Sequence, residues 1–215
     1  MNYDIQYYLN SNAVNVAGKW LRSLRDPIAK AKITKRISRF EHGNFGDHKP
    51  CREGVWEMRV DEGPGYRVYY AFSGRQIILL LCGGDKTTQD ADINTAVSYG
   101  KIGKKGNKMT TKNRSSQPHD EVVADMLQAD PAFRAALINE VMNDGEYGDM
   151  LILLRQLTLA EGGMKIIAQR TGLNETALYR LMSAEGNPSL KNFSKVLSAL
   201  NLQLAVTAKH GGVAA

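Results

Sequence analysis

Two periodicities divide the chain. Val14, Ala17, Leu21 and Leu24 recur at helical spacing, with Ser11 or Asn12 standing where an N-cap belongs. Asp26-Pro27 opens a second helix, because proline at the first helical position loses a hydrogen bond that would not form anyway. Ala29, Ile33, Ile37 and Phe40 make its apolar stripe, Lys30, Lys35, Arg36 and Arg39 fall largely outside it, and His42-Gly43-Asn44 ends it. From Val55 the period becomes two. Trp56, Met58 and Val60 alternate with Val55, Glu57, Arg59 and Asp61, and Tyr66, Val68, Tyr70 and Phe72 alternate with Arg67, Tyr69 and Ala71. The turn chemistry of Glu62-Gly-Pro-Gly65 joins them. A one-residue slip would mix the two faces, so the expected hairpin pairs Trp56 with Tyr70, Met58 with Val68 and Val60 with Tyr66 on the core side. Its other side sets Arg59 against Arg67 and Glu57 against Tyr69. Ile77 to Cys82 is a continuous apolar run, as a central strand buried on both faces requires. The pattern predicts an α+β unit over residues 1–100, two helices packed on an antiparallel sheet.

Beyond residue 100 the pattern changes. Residues 101–119 are polar and glycine-containing and read as a flexible linker, with Met109 and a fresh polar leader resembling the start of a second gene. The join is then either a natural gene fusion or an engineered one. Residues 120–215 read as all helix. A helix is expected at Glu121–Gln128. Another starts at Asp130-Pro131 with Phe133, Leu137 and Val141 on one side, and a very apolar one runs from Gly148 to Leu159. Met164, Ile167, Ala168 and Thr171 face one way along a short helix, Thr171-Gly172-Leu173 is a tight turn, and Asn174 caps a helix whose Ala177, Leu178 and Leu181 point inward. Leu190, Phe193, Val196, Leu197 and Leu200 are expected to close the bundle. At 215 residues the chain suits two such domains.

Charge sharpens this division. Residues 1–108 hold 18 Lys/Arg against 11 Asp/Glu, residues 109–215 hold 10 against 11, and the chain as a whole is +6. A basic half points to a polyanion such as RNA or DNA, or else is simply a solvated surface. Residues 120–149 carry eight carboxylates and a single cation, Arg134. This is either a solvated acidic helix face or an arm complementary to the basic half. Cys51 and Cys82 have no metal-ligand spacing, so no zinc site, disulfide framework or other cofactor is expected, and a reducing cytoplasm is. No secretory leader and no membrane-length apolar run is apparent.

Arg59 opposite Arg67 is the strongest hint of chemistry. Two cations facing each other on paired strands are destabilising without an anion between them. A phosphate would serve; so would Glu57 or Asp61, or each arginine reaching to solvent. The central strand brings Gly83-Gly-Asp-Lys86 to the edge of the same region. His42 and His48 read as ordinary surface residues.

Trp56-Glu-Met-Arg59, Gly63-Pro-Gly-Tyr-Arg-Val-Tyr-Tyr70 and Gly84-Asp-Lys-x-x-Gln89, preceded by Gly43-Asn-Phe-Gly-Asp47, resemble the small bacterial toxins of the RelE/ParE superfamily in its phage-associated, HigB-like branch. The resemblance covers nearly all of residues 1–100. It implies metal-independent cleavage of mRNA, usually in the ribosome, with the RNA 2′-hydroxyl attacking its own phosphodiester. It also implies Arg59 and Arg67 as a phosphate clamp, Lys86 for charge or proton transfer, and Tyr66 or Tyr69 for base stacking or proton donation. The chain departs from relatives that carry a basic residue near position 57, where it has Glu57. Its candidate for their late catalytic residue is Tyr99. A ParE-like attack on gyrase stays open.

The second half is similar to the HigA-like antidotes of addiction modules, through Asp130-Pro-Ala-Phe-Arg-Ala-Ala136, Glu161-Gly-Gly-Met164, Ala177-Leu-Tyr-Arg180 and Glu185-Gly-Asn-Pro188. That resemblance implies a helix-turn-helix that binds operator DNA as a homodimer and neutralises the toxin, in cis or between chains. Exposed Asn174, Glu175, Thr176, Tyr179 and Arg180 would read the DNA, and the tail from Leu202 to Val206 would help join the dimer. The expected whole is a fused toxin–antitoxin protein that represses its own gene. The rival reading is a transcription regulator whose toxin half is catalytically dead.

Overall fold

The computed structural model describes residues 2–105, 116–144, 146–183 and 186–205. Strand β1 (Asp4–Tyr8) leads into helices α1 (Val16–Ser23) and α2 (Pro27–Ser38), then strands β2 (His48–Pro50), β3 (Val55–Val60), β4 (Tyr66–Ser73) and β5 (Ile77–Asp85), and helix α3 (Gln89–Lys105). A short strand, β6 (Ser116–Pro118), precedes helices α4 (His119–Ala129), α5 (Pro131–Asp144), α6 (Tyr147–Ala160), α7 (Met164–Thr171), α8 (Glu175–Leu181) and α9 (Leu190–Ala199). The N-terminal part is therefore α+β, and α4–α9 are all helical.

The β3–β4 hairpin has the expected register, with Trp56 opposite Tyr70, Met58 opposite Val68, Arg59 opposite Arg67 and Glu57 opposite Tyr69. The sheet as a whole departs from the expected antiparallel one. Its order is β2-β3-β4-β5-β1-β6, and β1 runs parallel to β5. The first strand of the chain, which the pattern reading passed over, supplies the parallel pair. The last strand comes from the other half of the chain, where Ser116, Gln117 and Pro118 pair with Tyr8, Tyr7 and Gln6.

Helices α1 and α2 pack on one face of the sheet, over Met58, Val68, Tyr70 and Leu80, and α3 covers the other, over Tyr69, Ala71 and Leu81. A bulge between Tyr69 and Tyr70 on the β4–β5 ladder lets both Leu81 and Cys82 turn toward α3. Gly83 lies so close under Trp20 of α1 that a Cβ there would meet the indole at 2.2 Å. On its far side α2 packs against α5 and α6, so one continuous apolar cluster runs from Ile33, Ile37 and Phe40 to Leu137, Val141, Leu153 and Leu157.

The caps follow the sequence in part. Asp26 accepts hydrogen bonds from the N–H groups of Ile28 and Ala29, with Pro27 first in the helix. The cap of α1 is Asn15, neither Ser11 nor Asn12. Those residues still belong to a turn in which the Asn10 side chain accepts from the N–H groups of Asn12 and Val14 and Ala13 takes a φ of 57°. Asn174 caps α8 by accepting from Ala177, and Gly172 turns the chain between α7 and α8 with a φ of 70°. Phe193, Val196, Leu197 and Leu200 close the bundle. Leu190 does not, because the first turn of α9 finds nothing to cover it and leaves it 71% exposed. Helix α3 continues to Lys105 and β6 begins at Ser116. Met109 and the rest of residues 106–115 of the expected linker lie outside the described residues, as does Val206 of the tail. Among the described residues no helix is long and apolar enough to cross a membrane.

Candidate active site and the contact between the two halves

Glu57 occupies the space between the two opposed arginines. Its Oε1 accepts from Arg59 Nε at 2.9 Å and from Arg67 Nε at 3.2 Å, and its Oε2 accepts from Gln89 Nε2 at 2.8 Å. The residue is 0% exposed. Burial pushes its pKa up, but Arg59, Lys49, Gln89 and Arg67 outweigh burial and hold the carboxyl below its ordinary value. Of the three partners left open for the arginine pair, this is the internal carboxylate. The remaining Arg67 donor, Nη1, reaches the Gly65 carbonyl at 3.0 Å, whereas Arg59 Nη1 faces Asp47 at 3.9 Å. Lys49 stands opposite Glu57 on its other side. Three cations thus surround one buried carboxylate, and Asp47 and Asp85 lie close enough to Arg59 and Arg67 to offset part of their charge.

The other sequence candidates separate. Tyr69 shares the face of Arg59 and Arg67 but is buried beneath α3. Its hydroxyl has no hydrogen-bond partner, and burial together with Glu57 pushes its pKa far up. Tyr66 points to the opposite face of the sheet, edge-on to Trp20 at 6.3 Å. Lys86 is exposed in the turn after β5, two residues beyond Gly84, which pairs with Arg67. Tyr99 packs on Tyr8 at 5.1 Å. His48 is no mere surface residue, since its Nδ1 lies 2.7 Å from the Tyr70 hydroxyl and its ring stacks on Phe45 and Trp56. Gln89 was legible only as part of a motif; that it grips Glu57 depends on how α3 folds back over the sheet.

A second cluster joins the two halves of the chain. Lys30 meets Asp130 at 2.9 Å, Lys35 meets Glu140 at 2.9 Å, Arg39 meets Asp149 at 2.7 Å, and Arg22 lies 3.8 Å from Asp125. In all four the cation comes from α1, α2 or the turn after it, and the carboxylate from the acidic segment. One pair has the reverse sense: Arg155 of α6 binds Glu41 and Asp120, each at 2.5 Å. Between these pairs lies a buried polar chain. His119 has Nδ1 3.2 Å from the Tyr7 hydroxyl and Nε2 2.9 Å from Ser38 Oγ, and Gln156 donates to Ser38 Oγ and to Asp120. Burial pushes the His119 pKa down to about 4. A lone Arg155 in the apolar run 148–159 was the one sequence signal of this network, because a cation so placed requires a carboxylate partner.

Known proteins agree with this division. Residues 19–97 match the family model described as "Phage derived protein Gp49-like", and residues 119–208 match "Probable addiction module antidote protein". The chain belongs to the toxin–antitoxin family, a Gp49-like toxin domain fused to an antidote domain. Two curated proteins of Haemophilus influenzae, both described as uncharacterized, are similar to it. One is 53% identical over 77 residues, 36% of this chain and 78% of the relative; the other is 32% identical over 92 residues, 43% of this chain and 93% of the relative. No solved structure matches it significantly.

The antidote domain turns a polar face away from the toxin domain. Asn174, Glu175, Thr176, Tyr179 and Arg180 of the α8 region are all exposed, Tyr179 by 59%. Their backs, Leu178 and Leu181, are buried in the bundle.

The toxin–antidote contact is expected to weaken in acid through His119. Released from the contact, an ordinary histidine gains a proton near pH 6.5, whereas the buried one resists until about pH 4. The unfolded or undocked state therefore binds more protons between these values, and stability present above pH 6.5 is lost as pH falls toward 4, by on the order of 3 kcal/mol. Denaturant unfolding followed across this range should show the loss in the wild type and a flatter profile in His119→Gln. Superimposable profiles would contradict the assignment.

Proposed function

We propose that the toxin domain is a metal-independent endoribonuclease that cuts mRNA on the ribosome, that the docked antidote domain holds it inactive, and that the whole chain represses its own operator as a homodimer. The observation that carries the first part is the Arg59–Arg67 pair with Lys49 beside it, three cations gathered around one buried carboxylate. In such a reaction the 2′-oxygen bonds to phosphorus as the bond to the 5′-oxygen breaks, and negative charge builds on the phosphorane. Preorganised cations stabilise that charge without reorganising. Both oxygens of Glu57 are engaged, so its role here is to fix the two guanidinium planes; Arg59, the more open of the two, meets the phosphate, and Arg67 supports it. Lys86 adds charge at the rim. Tyr66 lies on the other face and Tyr69 is buried beneath α3, which removes both from base stacking in this scheme.

One observation favours a second reading. Glu57 already stands where an anion would bind, and a toxin half silenced in this way would leave the chain as a regulator only. Expressing residues 1–108 alone separates the two. Growth arrest with cut mRNA, absent from the full chain, is the expected result, and Arg59→Ala should slow cleavage by about 10²–10³-fold. Arrest without cut RNA but with blocked supercoiling would point to gyrase, and a harmless, well-expressed half would support the regulator.

The exposed row on α8 supports operator binding. Two such helices must enter successive major grooves roughly 34 Å apart, which calls for two-fold pairing of antidote domains. Arg180→Ala should weaken binding to upstream DNA in a footprinting assay and leave the toxin domain inhibited, because Arg180 lies on α8, apart from the ion pairs that hold α2. Loss of both functions together would refute this division of labour.

A further inference from the structure

Helix α2 carries Lys30, Lys32, Lys35 and Arg36, is followed by Arg39, and contains no carboxylate of its own. Lys32 and Arg36, like Lys35 and Arg39, stand four residues apart, a repulsive spacing on a helix. The anions that relieve it come from elsewhere: Glu62 for Lys32, and the antidote's Asp130, Glu140 and Asp149 for Lys30, Lys35 and Arg39. The Lys30 and Lys35 side chains are each only 7% exposed in this contact.

Burying two ammonium groups is a poor way to build a permanent protein contact, because apolar side chains of similar volume serve equally well or better. The cations make sense if this surface must also work uncovered. Lys30, Lys35 and Arg39 are separated by about 7.5 and 6 Å along the helix axis, at 1.5 Å per residue, which is the scale of successive phosphates on one strand. Each meets a different carboxylate of the antidote domain. The surface lies on the α2 side of the sheet, whereas Arg59 and Arg67 lie on the α3 side. The antidote domain therefore covers something other than the proposed catalytic cluster.

We propose that this α1–α2 surface is the toxin domain's docking face for an RNA backbone, and that Asp130, Glu140 and Asp149 occupy it as surrogates for phosphates. The inference rests on the reading of the toxin domain as acting on RNA. It adds a docking contact separate from the cleaving one, and it assigns inhibition to loss of docking. A partner that reaches both sides of the sheet must be large and folded, as a structured RNA is.

The test uses the full chain and a labelled 2′-O-methyl RNA hairpin, which can bind but cannot be cut because its attacking hydroxyl is blocked. Asp130→Asn, Glu140→Gln and Asp149→Asn together remove the surrogates. Fluorescence anisotropy should then show at least about 10-fold tighter binding than wild type, steeply weakened by salt, as expected when cations displace counterions from phosphates. Adding Lys30→Gln and Lys35→Gln should take that gain away. Hydrogen exchange at α2 reports whether the antidote has lifted. If neutralisation alone leaves it docked, Val141→Asp puts a carboxylate into the apolar part of the same contact and the comparison is repeated. Affinity unchanged from wild type with α2 uncovered would overturn the proposal, as would a gain indifferent to Lys30 and Lys35. An unmodified hairpin and an mRNA under translation separate this from the catalytic reading. Hairpin bound, with mRNA left whole on translating ribosomes, keeps the docking face and removes the ribonuclease. Cut RNA with binding independent of Lys30 and Lys35 does the opposite.

Discussion

Helix α2 is held between two layers, and most of the molecule depends on that. Its stripe Ala29, Ile33 and Ile37, continued by Phe40 just beyond it, is buried in the core, and Lys30 and Lys35 face the antidote domain. A twelve-residue helix this short is marginal on its own, so its stability comes from what packs on it. Because the apolar cluster is continuous from the sheet through α2 into α5 and α6, the toxin and antidote domains share one core. Strand β6, just ahead of the antidote domain, extends this sharing to the backbone by adding a strand to the toxin's sheet. Fusion on one chain makes the contact intramolecular, so it does not depend on protein concentration.

The second constraint is the arginine pair. Opposed cations on neighbouring strands require an anion, and Glu57 meets that need with both oxygens, steadied by Gln89 from α3. A helix that closes one face of the sheet thereby also sets the geometry of the charge cluster. The two clusters lie on opposite faces, so the antidote domain packs on the toxin domain on the side away from Arg59 and Arg67.

Much of this was legible wherever periodicity and side-chain chemistry are local. The β3–β4 register followed from alternation alone, Asp26-Pro27 and Asn174 announced their helices, and Gly172 announced its turn. What escaped was non-local. Asp4–Tyr8 is a five-residue strand beside a chain end, with too little alternation to stand out, yet it makes the sheet mixed. Ser116–Pro118 looked like linker because only its partner strand makes it a strand. Alternation left a phosphate, a carboxylate or solvent open for Arg59 and Arg67; α3 covers this face of β4, so Tyr69 is buried and Arg67 is paired inward. The acidic character of residues 120–149 was visible at once. Which of its carboxylates would meet Lys30, Lys35 and Arg39 depended on how α5 and α6 cross α2.

The central claim is that the ion pairs on α2 keep the toxin domain in check. Reversing two of them in the full chain, with Asp130→Lys and Glu140→Lys, sets like charges against Lys30 and Lys35 and leaves every toxin residue unchanged. Growth of cells expressing this variant is the most direct readout. Arrest, with the wild-type chain harmless at equal expression, is the result this account predicts. A soluble, folded variant that leaves growth untouched would contradict it.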